Sequence, residues 1–394
     1  MQPLLDEISK NYSAAEISTN SGGSAYGISS VLDNKKNIGA VAKMPGVDTA
    51  GLPNDNTNLN QNQIIWKNDG IKTVTIGKDS IGIIYKDYDG SLDLTINEKN
   101  IAMFYLAFCG FNKINLNQLD SQLSTTKYLV PFARAGGANE SGTAESFLVD
   151  NYLGEKGQMA YLNTVDAKSA NLSPVTNNSE SIYSVLNHGH YGREVIQTNE
   201  TSLETWEAIK SYNSNDNTIP ITYLSSGFIK NNYDEIQKNG FKIAKYSSKN
   251  IELIKTIDGK YTINNEYNWF RPLNLVLKTK QASNLDESKE FVQWILANML
   301  FENSIINKVF NDLGFLTLTS NQISTMFDPN DLTQFNNLVD YSLNNPNKTY
   351  SDFLNTTQTN PMNWNSFWLS DYDLYNLQKQ QRDNQKEYYG AIIR

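Results

Sequence analysis

A glycine-rich stretch from Arg134 to Phe147 contains the residue types best suited to binding a small anion. It reads Arg-Ala-Gly-Gly-Ala-Asn-Glu-Ser-Gly-Thr-Ala-Glu-Ser-Phe. Ser141 and Thr143 stand where N-cap residues stand, just before helical apolar spacing. A helix start presents free N–H groups, and an arginine beside it adds a planar fork of donors for an oxyanion. The stretch therefore indicates an anion site, although spacing alone leaves open an ordinary glycine-rich turn with a capping box.

Other patterns that could support chemistry are weaker. His188 and His190 form a His-Gly-His triplet without evident partner ligands, and the run from Asp87 has Leu92 where a calcium loop requires glycine. Ser141 lacks the Gly-x-Ser-x-Gly context of a nucleophile, and no glycine-rich loop has a P-loop lysine. We therefore predict no catalytic residue, no metal site and no cofactor.

Composition indicates an acidic globular chain long enough for two domains. It has 394 residues, 39% hydrophobic and 19% charged, with a net charge of −9. An acidic chain of this kind is not expected to bind nucleic acid, and an anion must be held by local donors. The single cysteine, Cys109, lies in an apolar run and is interpreted as a small buried hydrophobe. No apolar run is long enough to cross a membrane.

The elements that must position the anion-binding stretch alternate between helix and strand. Tyr128–Phe132 suits a strand that delivers Arg134 at its end, and Ser24 is placed to cap an earlier helix before a short strand at Ile38–Val41. This βαβ rhythm predicts an α/β fold with a parallel sheet and ligand-binding loops at the strand ends.

Further elements follow from the apolar periodicity. We predict strands at 16–18, 71–76, 81–85, 219–224 and 269–277, helices at 93–110, 200–212 and 286–309, and a polar connection at 256–267. From about Ser320 polar residues dominate, but scattered aromatic residues such as Trp364 and Phe367 predict a packed, mostly helical extension, with a last polar helix at 378–386.

Together these stretches resemble the phosphate-binding protein of the phosphate ABC transporter. Each motif alone is weak, but their order agrees over roughly residues 1–318. The motifs that support the resemblance are Gly23-Ser24-Ala25-Tyr26-Gly27-Ile28, Ile38-Gly39-Ala40, Arg134 followed by Ser141-Gly142-Thr143, Ile221-Thr222-Tyr223-Leu224-Ser225-Ser226-Gly227-Phe228, Arg271-Pro272-Leu273, Glu290–Leu296 and Leu313-Gly314-Phe315-Leu316.

The resemblance implies a two-lobed type II solute-binding fold, with two mixed sheets flanked by helices and a hinge between the lobes. Lobe I takes residues 1–92 and 269–319, lobe II takes 93–268, and 320–394 form the C-terminal extension. The implied protein is not an enzyme. It is an extracytoplasmic receptor, expected to be monomeric, that binds inorganic phosphate between its lobes and delivers it to an ABC transporter permease.

Seven residues are predicted to contact the anion. Lobe II contributes Arg134, Ser141, Gly142 and Thr143, and lobe I contributes Ser24 with Gly23 beside it. Glu140 is the carboxylate directly beside the Ser-Gly-Thr motif, and it is predicted to accept the phosphate proton or to orient Arg134. A solvent-facing or capping role for Glu140 remains open.

The sequence departs from the family pattern in three places. Met1 falls inside the family's first phosphate-contacting loop, so we expect a membrane-anchored lipoprotein with more residues upstream. Ala42 replaces the Asp or Ser that often contacts the anion, and two extra residues separate Arg134 from Ser141. Two alternatives stay open: a receptor of the same fold for sulfate or molybdate, and a surface-interaction lipoprotein that kept the fold without transport.

Overall fold

A computed structural model describes residues 2–19, 24–41, 68, 70–148, 162–169, 180–213, 215–280, 285–328, 330–356, 364, 367–371 and 373–374. The chain forms two compact units. Unit 1 is Met1–Lys78 with Pro272–Arg394, and unit 2 is Asp79–Arg271. Among the described residues, no helix is both long and apolar enough to span a membrane.

Helices make up most of the regular structure in the described ranges. In chain order they are α1 (Gln2–Lys10), α2 (Ser24–Leu32), α3 (Ile101–Cys109), α4 (Leu116–Leu119), α5 (Gly137–Glu140), α6 (Gly142–Leu148), α7 (Ile182–His188), α8 (Ser202–Lys210), α9 (Ser226–Asn231), α10 (Tyr233–Lys238), α11 (Leu285–Met299), α12 (Ile305–Asp312), α13 (Ser320–Ser324), α14 (Thr333–Asn344) and α15 (Tyr350–Thr356).

The strands confirm the predicted α/β class. They are β1 (Ile38–Val41), β2 (Ile71–Lys86), β3 (Thr95–Ile96), β4 (Tyr128–Arg134), β5 (Ile196–Thr198), β6 (Thr218–Ser225), β7 (Phe241–Ile243), β8 (Lys245–Tyr246), β9 (Ile254–Ile257), β10 (Lys260–Ile263) and β11 (Phe270–Lys278). The two strand segments predicted at 71–76 and 81–85 are one continuous strand, β2.

Unit 2 is built on a mixed sheet. Strand β4 pairs in parallel with β5 and β6, whereas β6 and β7 pair antiparallel with the second half of β2. Helices α3, α6 and α8 pack on these strands. A cluster of buried aromatic residues forms much of the core: Phe104, Phe108, Phe147, Tyr223 and Trp269. The end of β4, which holds Arg134, lies against this core.

Unit 1 has an apolar core cluster at β1 and β11, which pair antiparallel and not in parallel as the βαβ rhythm predicted. Its residues are Ile28, Val31, Val41, Ile71 and Val276. The parallel pairs that the structure describes, β3 with β8, β4 with β5 and β4 with β6, lie in unit 2. An antiparallel partner arises here because β11 comes from the far end of the chain and not from the next βαβ repeat.

Three predicted elements differ in the structure. The helix predicted at 286–309 is two helices, because the Ser304 hydroxyl caps α12 by accepting from the Asn307 N–H at 3.1 Å. The region 256–267 contains a hairpin of β9 and β10, since Asp258 and Gly259 adopt φ of 49° and 73° in a two-residue turn. Residues 16–18 form no strand.

The helix predicted at 93–110 begins only at Ile101, because β3 occupies Thr95–Ile96. The strands predicted at 219–224 and 269–277 and the helix predicted at 200–212 are confirmed as β6, β11 and α8. The last polar helix predicted at 378–386 lies outside the described residues.

The C-terminal extension contributes buried side chains to unit 1. The ring of Phe327 packs against Phe335 and Phe367, each at 4.9 Å between ring centroids. Both carboxylate oxygens of Asp371 accept from the backbone N–H of Thr73 in β2, at 3.0 Å. The extension therefore covers part of β2 and supplies an acceptor for one of its backbone donors.

Burial perturbs two charged groups at this contact. Burial raises the pKa of Asp371 to about 6, against the lowering effect of Lys72, and lowers the pKa of Lys72 to about 8. The Lys72 ammonium donates to the Met326 carbonyl at 3.0 Å. Lys72 therefore stays mostly charged below neutral pH, while Asp371 titrates in the mildly acidic range.

We predict that this titration is visible in the stability of the protein. The folded-state pKa of Asp371 lies above its unfolded value, so its contribution is fully present below about pH 4 and is lost as pH rises through about 6. Relative to Asp371→Asn, the free energy of unfolding of the wild type should fall by up to about 3 kcal/mol over that range. Urea unfolding at a series of pH values measures the difference. The exposed Asp340→Asn is the control, and parallel curves for Asp371→Asn and wild type would contradict the prediction.

Candidate functional site

Arg134, at the end of β4, is a buried cation held by neutral groups. The residue is 1% exposed to solvent. Its Nε donates to the Glu200 carbonyl at 2.9 Å, its Nη1 to the Thr205 hydroxyl at 2.6 Å, and its Nη2 to the Ser202 hydroxyl at 3.5 Å. The guanidinium lies 5.3 Å from the centre of the Tyr223 ring. These contacts fix the plane of the guanidinium.

The positive charge of Arg134 is not matched by a direct ion pair. Among the described residues, no carboxylate lies within ion-pair distance of its guanidinium, although Glu200 exerts a favourable charge effect. Burial lowers the pKa of Arg134, but a guanidinium remains protonated in proteins. Because a buried charge is costly unless it is paired, this arrangement favours an anionic ligand.

The backbone of Arg134 is anchored by two tyrosines. Its N–H donates to the Tyr223 hydroxyl at 3.2 Å, and the Tyr191 hydroxyl donates to its carbonyl at 2.9 Å. The Tyr223 ring stacks on Phe147 of α6 at 4.2 Å between centroids, and Phe147 stacks in turn on Trp269 at 5.5 Å. The aromatic core of unit 2 therefore holds Tyr223, and through it the backbone of Arg134, in a fixed position.

The predicted hydroxyl residues lie close to Arg134 through shared partners. Ser141 is fully buried, and its Oγ accepts from the Ala144 N–H at 3.2 Å, which caps α6. The Ser141 hydroxyl lies close enough to the Glu200 carboxyl to lower the pKa of that carboxyl. Glu200 is the residue whose carbonyl accepts from Arg134. The structure thus brings Ser141 and Arg134 together around Glu200.

Thr143 joins the site through a second arginine. Its hydroxyl accepts from Nη1 of Arg271 at 3.4 Å. Arg271 also forms a buried ion pair with Asp79, at 2.7 Å between Nη2 and Oδ2. Arg271, Asp79 and Thr143 therefore form one hydrogen-bonded cluster within unit 2, and the charge of Arg271 also acts on Arg134 and Glu200, which suits recognition of a small oxyanion.

The Glu200 carboxylate lies near several of the predicted donors. Partial burial of its carboxyl raises its pKa, even though the residue as a whole is exposed. The hydrogen bond from Ser141 and the charges of Arg134 and Arg271 act in the opposite direction, while Glu140 raises the pKa further. Glu200 is therefore a hydrogen-bond acceptor of increased basicity beside the donors.

The remaining predicted residues occupy different positions. Gly142 is the half-buried first residue of α6, and Glu140 is exposed at the end of α5. Ser24 is the first residue of α2 in unit 1, and its predicted capping role stays a prediction. Gly23 and Ala42 lie outside the described residues. Ligand contacts for all seven predicted residues stay predictions.

The weaker patterns are explained by local structure. Lys127 donates to Asp87 at 2.6 Å and to Asp89 at 2.9 Å, so an ammonium lies where a cation would bind in the calcium-like run. The His190 ring contacts Glu180 at 3.0 Å. In the part of the chain that the structure describes, no group of three or more His, Cys, Asp or Glu residues could hold a metal ion.

Sequence reasoning missed the acidic and second basic members of the cluster. Asp79 lies in the middle of the buried strand β2, and Arg271 lies near the start of the largely buried strand β11. A charged residue inside a buried strand is the signal that could have marked both, because such residues need a partner. No sequence pattern marked Glu200 as a site residue, apart from its position just before α8.

The chain is similar in sequence to one curated lipoprotein and in structure to several solved proteins. The chain is 29% identical over 395 aligned positions to an uncharacterized lipoprotein, MG412, of Mycoplasma genitalium, covering 95% of this chain and 89% of the relative. No protein-family model matches.

Two solved structures are similar to this chain at low sequence identity. An ABC-type phosphate transport receptor from Vibrio cholerae is 13% identical, with a TM-score of 0.46, covering 80% of this chain and 96% of that one. PstS from Borrelia burgdorferi is 16% identical, with a TM-score of 0.43, covering 80% and 94%.

We predict that Thr205 is needed to keep Arg134 in place. Thr205→Val preserves the side-chain shape but removes the hydroxyl that accepts from Nη1. Because a buried charged donor then loses its acceptor, the free energy of unfolding should fall by about 1.5–3 kcal/mol. Urea unfolding measures the loss, with the exposed Thr125→Val as control. A loss no larger than that of the control would show that Arg134 does not depend on Thr205.

Proposed function

We propose that the chain is an extracytoplasmic receptor that binds inorganic phosphate and delivers it to an ABC importer. The observation that supports this most strongly is Arg134, a buried guanidinium whose hydrogen-bond partners among the described residues are all uncharged acceptors. An oxyanion bound beside it supplies the missing charge and accepts directed hydrogen bonds.

The donors around Arg134 suit a tetrahedral oxyanion. A guanidinium has five N–H groups, and three of those of Arg134 donate to protein groups among the described residues. The other two can donate to a ligand. Ser141 and Thr143 add hydroxyls that belong to the same cluster. The proposed ligand set from unit 2 is Arg134, Ser141, Gly142 and Thr143.

The order of motifs that resembles the phosphate-binding family supports phosphate over other oxyanions. A carboxylate beside the donors adds to this preference, because it accepts a hydrogen bond from a ligand that still has a proton and repels one that has none. Glu200 is held beside Ser141, and Glu140 lies close enough to affect its pKa. Either carboxylate can provide that acceptor.

Location and partners follow from the same proposal. The relative described as a lipoprotein supports a lipid-anchored, extracytoplasmic form of this chain. Its proposed partners are phosphate and an ABC permease, and it acts by binding without catalysis. The lipoprotein description equally favours the second candidate, a surface lipoprotein that kept the fold and contacts other partners, with its C-terminal extension as the contact region.

We predict that removing the Arg134 side chain weakens phosphate binding. Losing a charge-assisted hydrogen-bonding partner costs about 1.5–3 kcal/mol, so Arg134→Ala should raise the dissociation constant for phosphate by at least about tenfold. Calorimetric titration measures the constant. Arg193→Ala is the matched control, since the Arg193 side chain is 88% exposed and pairs with its neighbour Glu194.

Parallel titrations separate the candidate functions. Sulfate or molybdate binding in place of phosphate would support a receptor for another oxyanion, and no binding of any of the three anions would favour the surface lipoprotein. An Arg134→Ala variant that binds phosphate as tightly as Arg193→Ala would remove Arg134 from the site.

A further inference from the structure

Arg271 is fixed by an ion pair that uses one edge of its guanidinium. Nε and Nη2 both donate to Oδ2 of Asp79, at 2.9 and 2.7 Å. Asp79 is fully buried, and the Arg271 side chain is 12% exposed. Because two donors of one planar group meet the same oxygen, the orientation of the plane is set by the carboxylate.

The carboxylate of Asp79 is itself held from the other side. Its Oδ1 accepts from the hydroxyls of Ser225 at 3.0 Å and Ser226 at 3.1 Å. The Ser226 Oγ in turn accepts from the Ser80 N–H at 3.1 Å. A rotation of Asp79 would break up to four hydrogen bonds in a buried region, so the carboxylate acts as a rigid support for Arg271.

The opposite edge of the guanidinium faces the predicted anion-binding residues. Nη1 of Arg271 is 3.4 Å from the Thr143 hydroxyl, which is a long and weak hydrogen bond. Thr143 lies in the first turn of α6, within the Ser-Gly-Thr motif. The edge that is free of Asp79 therefore points to the residues expected to contact the oxyanion.

The two arginines act on the same groups. The charge of Arg271 lowers the pKa of Arg134, and both guanidinium charges lower the pKa of the Glu200 carboxyl. Two cations held near each other repel, and an anion between them removes that repulsion. Asp79 occupies only the Nε and Nη2 donors of Arg271, so the Nη1 group of Arg271 can still donate to a ligand.

We infer that Arg271 is a second anion-binding arginine of this site and that Asp79 is its positioning residue. The ligand is then an oxyanion with enough oxygens to accept from two guanidinium groups and from Thr143 at once, as a tetrahedral oxyanion has. This inference rests on the proposed function and extends it from one arginine to two.

The test is Arg271→Lys in the full chain. Lysine keeps the ion pair with Asp79, but its single ammonium cannot donate to Asp79 and to the ligand at the same time as the planar guanidinium of arginine does. The midpoint of thermal unfolding should stay close to that of the wild type, while the calorimetric dissociation constant for phosphate rises at least about tenfold. Wild-type affinity in Arg271→Lys would overturn the inference.

A second variant separates binding from structural support. Arg271→Gln alone leaves Asp79 buried without a cation and should lower the unfolding midpoint, whereas Arg271→Gln with Asp79→Asn removes both charges and should recover it. Affinity should stay at least about tenfold weaker in the double variant. A double variant with recovered stability and wild-type affinity would show that Arg271 is purely structural.

These outcomes differ from a failure of the proposed function. If the wild type binds phosphate and Arg134→Ala weakens it, but Arg271→Lys does not, only the inference about Arg271 fails. If the wild type binds sulfate or molybdate in place of phosphate, the same variants are titrated with that anion. If it binds none of the three, both the proposed function and this inference fail.

Discussion

The burial of the Arg134 guanidinium among uncharged acceptors is the constraint on which the proposed site depends. Its cost is tolerated because the Glu200 carbonyl and the Thr205 hydroxyl accept its donors and the Tyr223 ring lies beside it. Each of these groups comes from a different element: the loop before α8, α8 itself, and β6. The parallel pairing of β4 with β6 and the packing of α8 on both strands bring them to one place, so the architecture of unit 2 is what makes such an arginine stable.

The two arginines near the proposed site differ in whether a carboxylate neutralises their charge, and that difference accounts for the proposed preference for an anion. Arg271 has a buried carboxylate partner in Asp79, whereas Arg134 has only neutral direct partners among the described residues. A pair such as Asp79–Arg271 adds directed donors without adding net charge, while Arg134 adds a net positive charge. The combination gives a local preference for an anion in a chain whose overall charge is −9. In the proposed site, local donors, and not the field of the whole protein, therefore provide the attraction for an anion.

Local sequence patterns predicted the elements of unit 2 well and its long-range pairs poorly. The strand before Arg134, the helix start at Ser141 and the buried strand β6 follow from apolar spacing and capping residues, which are local properties. The Asp79–Arg271 pair joins residues 192 positions apart, and no local pattern specifies which charged residue meets which. The hairpin at Asp258–Gly259 was missed although its Asp-Gly turn is a local signal, because the polar residues around it were interpreted as a connection.

The most direct measurement of the central claim is the NMR signal of the Arg134 guanidinium during a phosphate titration. The Nε–H resonance is assigned by its loss in Arg134→Lys, and its position reports the charge and hydrogen bonding around that side chain. If an oxyanion binds beside Arg134, the resonance shifts and saturates as one phosphate binds per chain, while the Nε–H resonance of the exposed Arg193 stays in place. An Arg134 resonance that does not move while phosphate saturates the protein would contradict the account, because the ligand would then bind away from the buried cation.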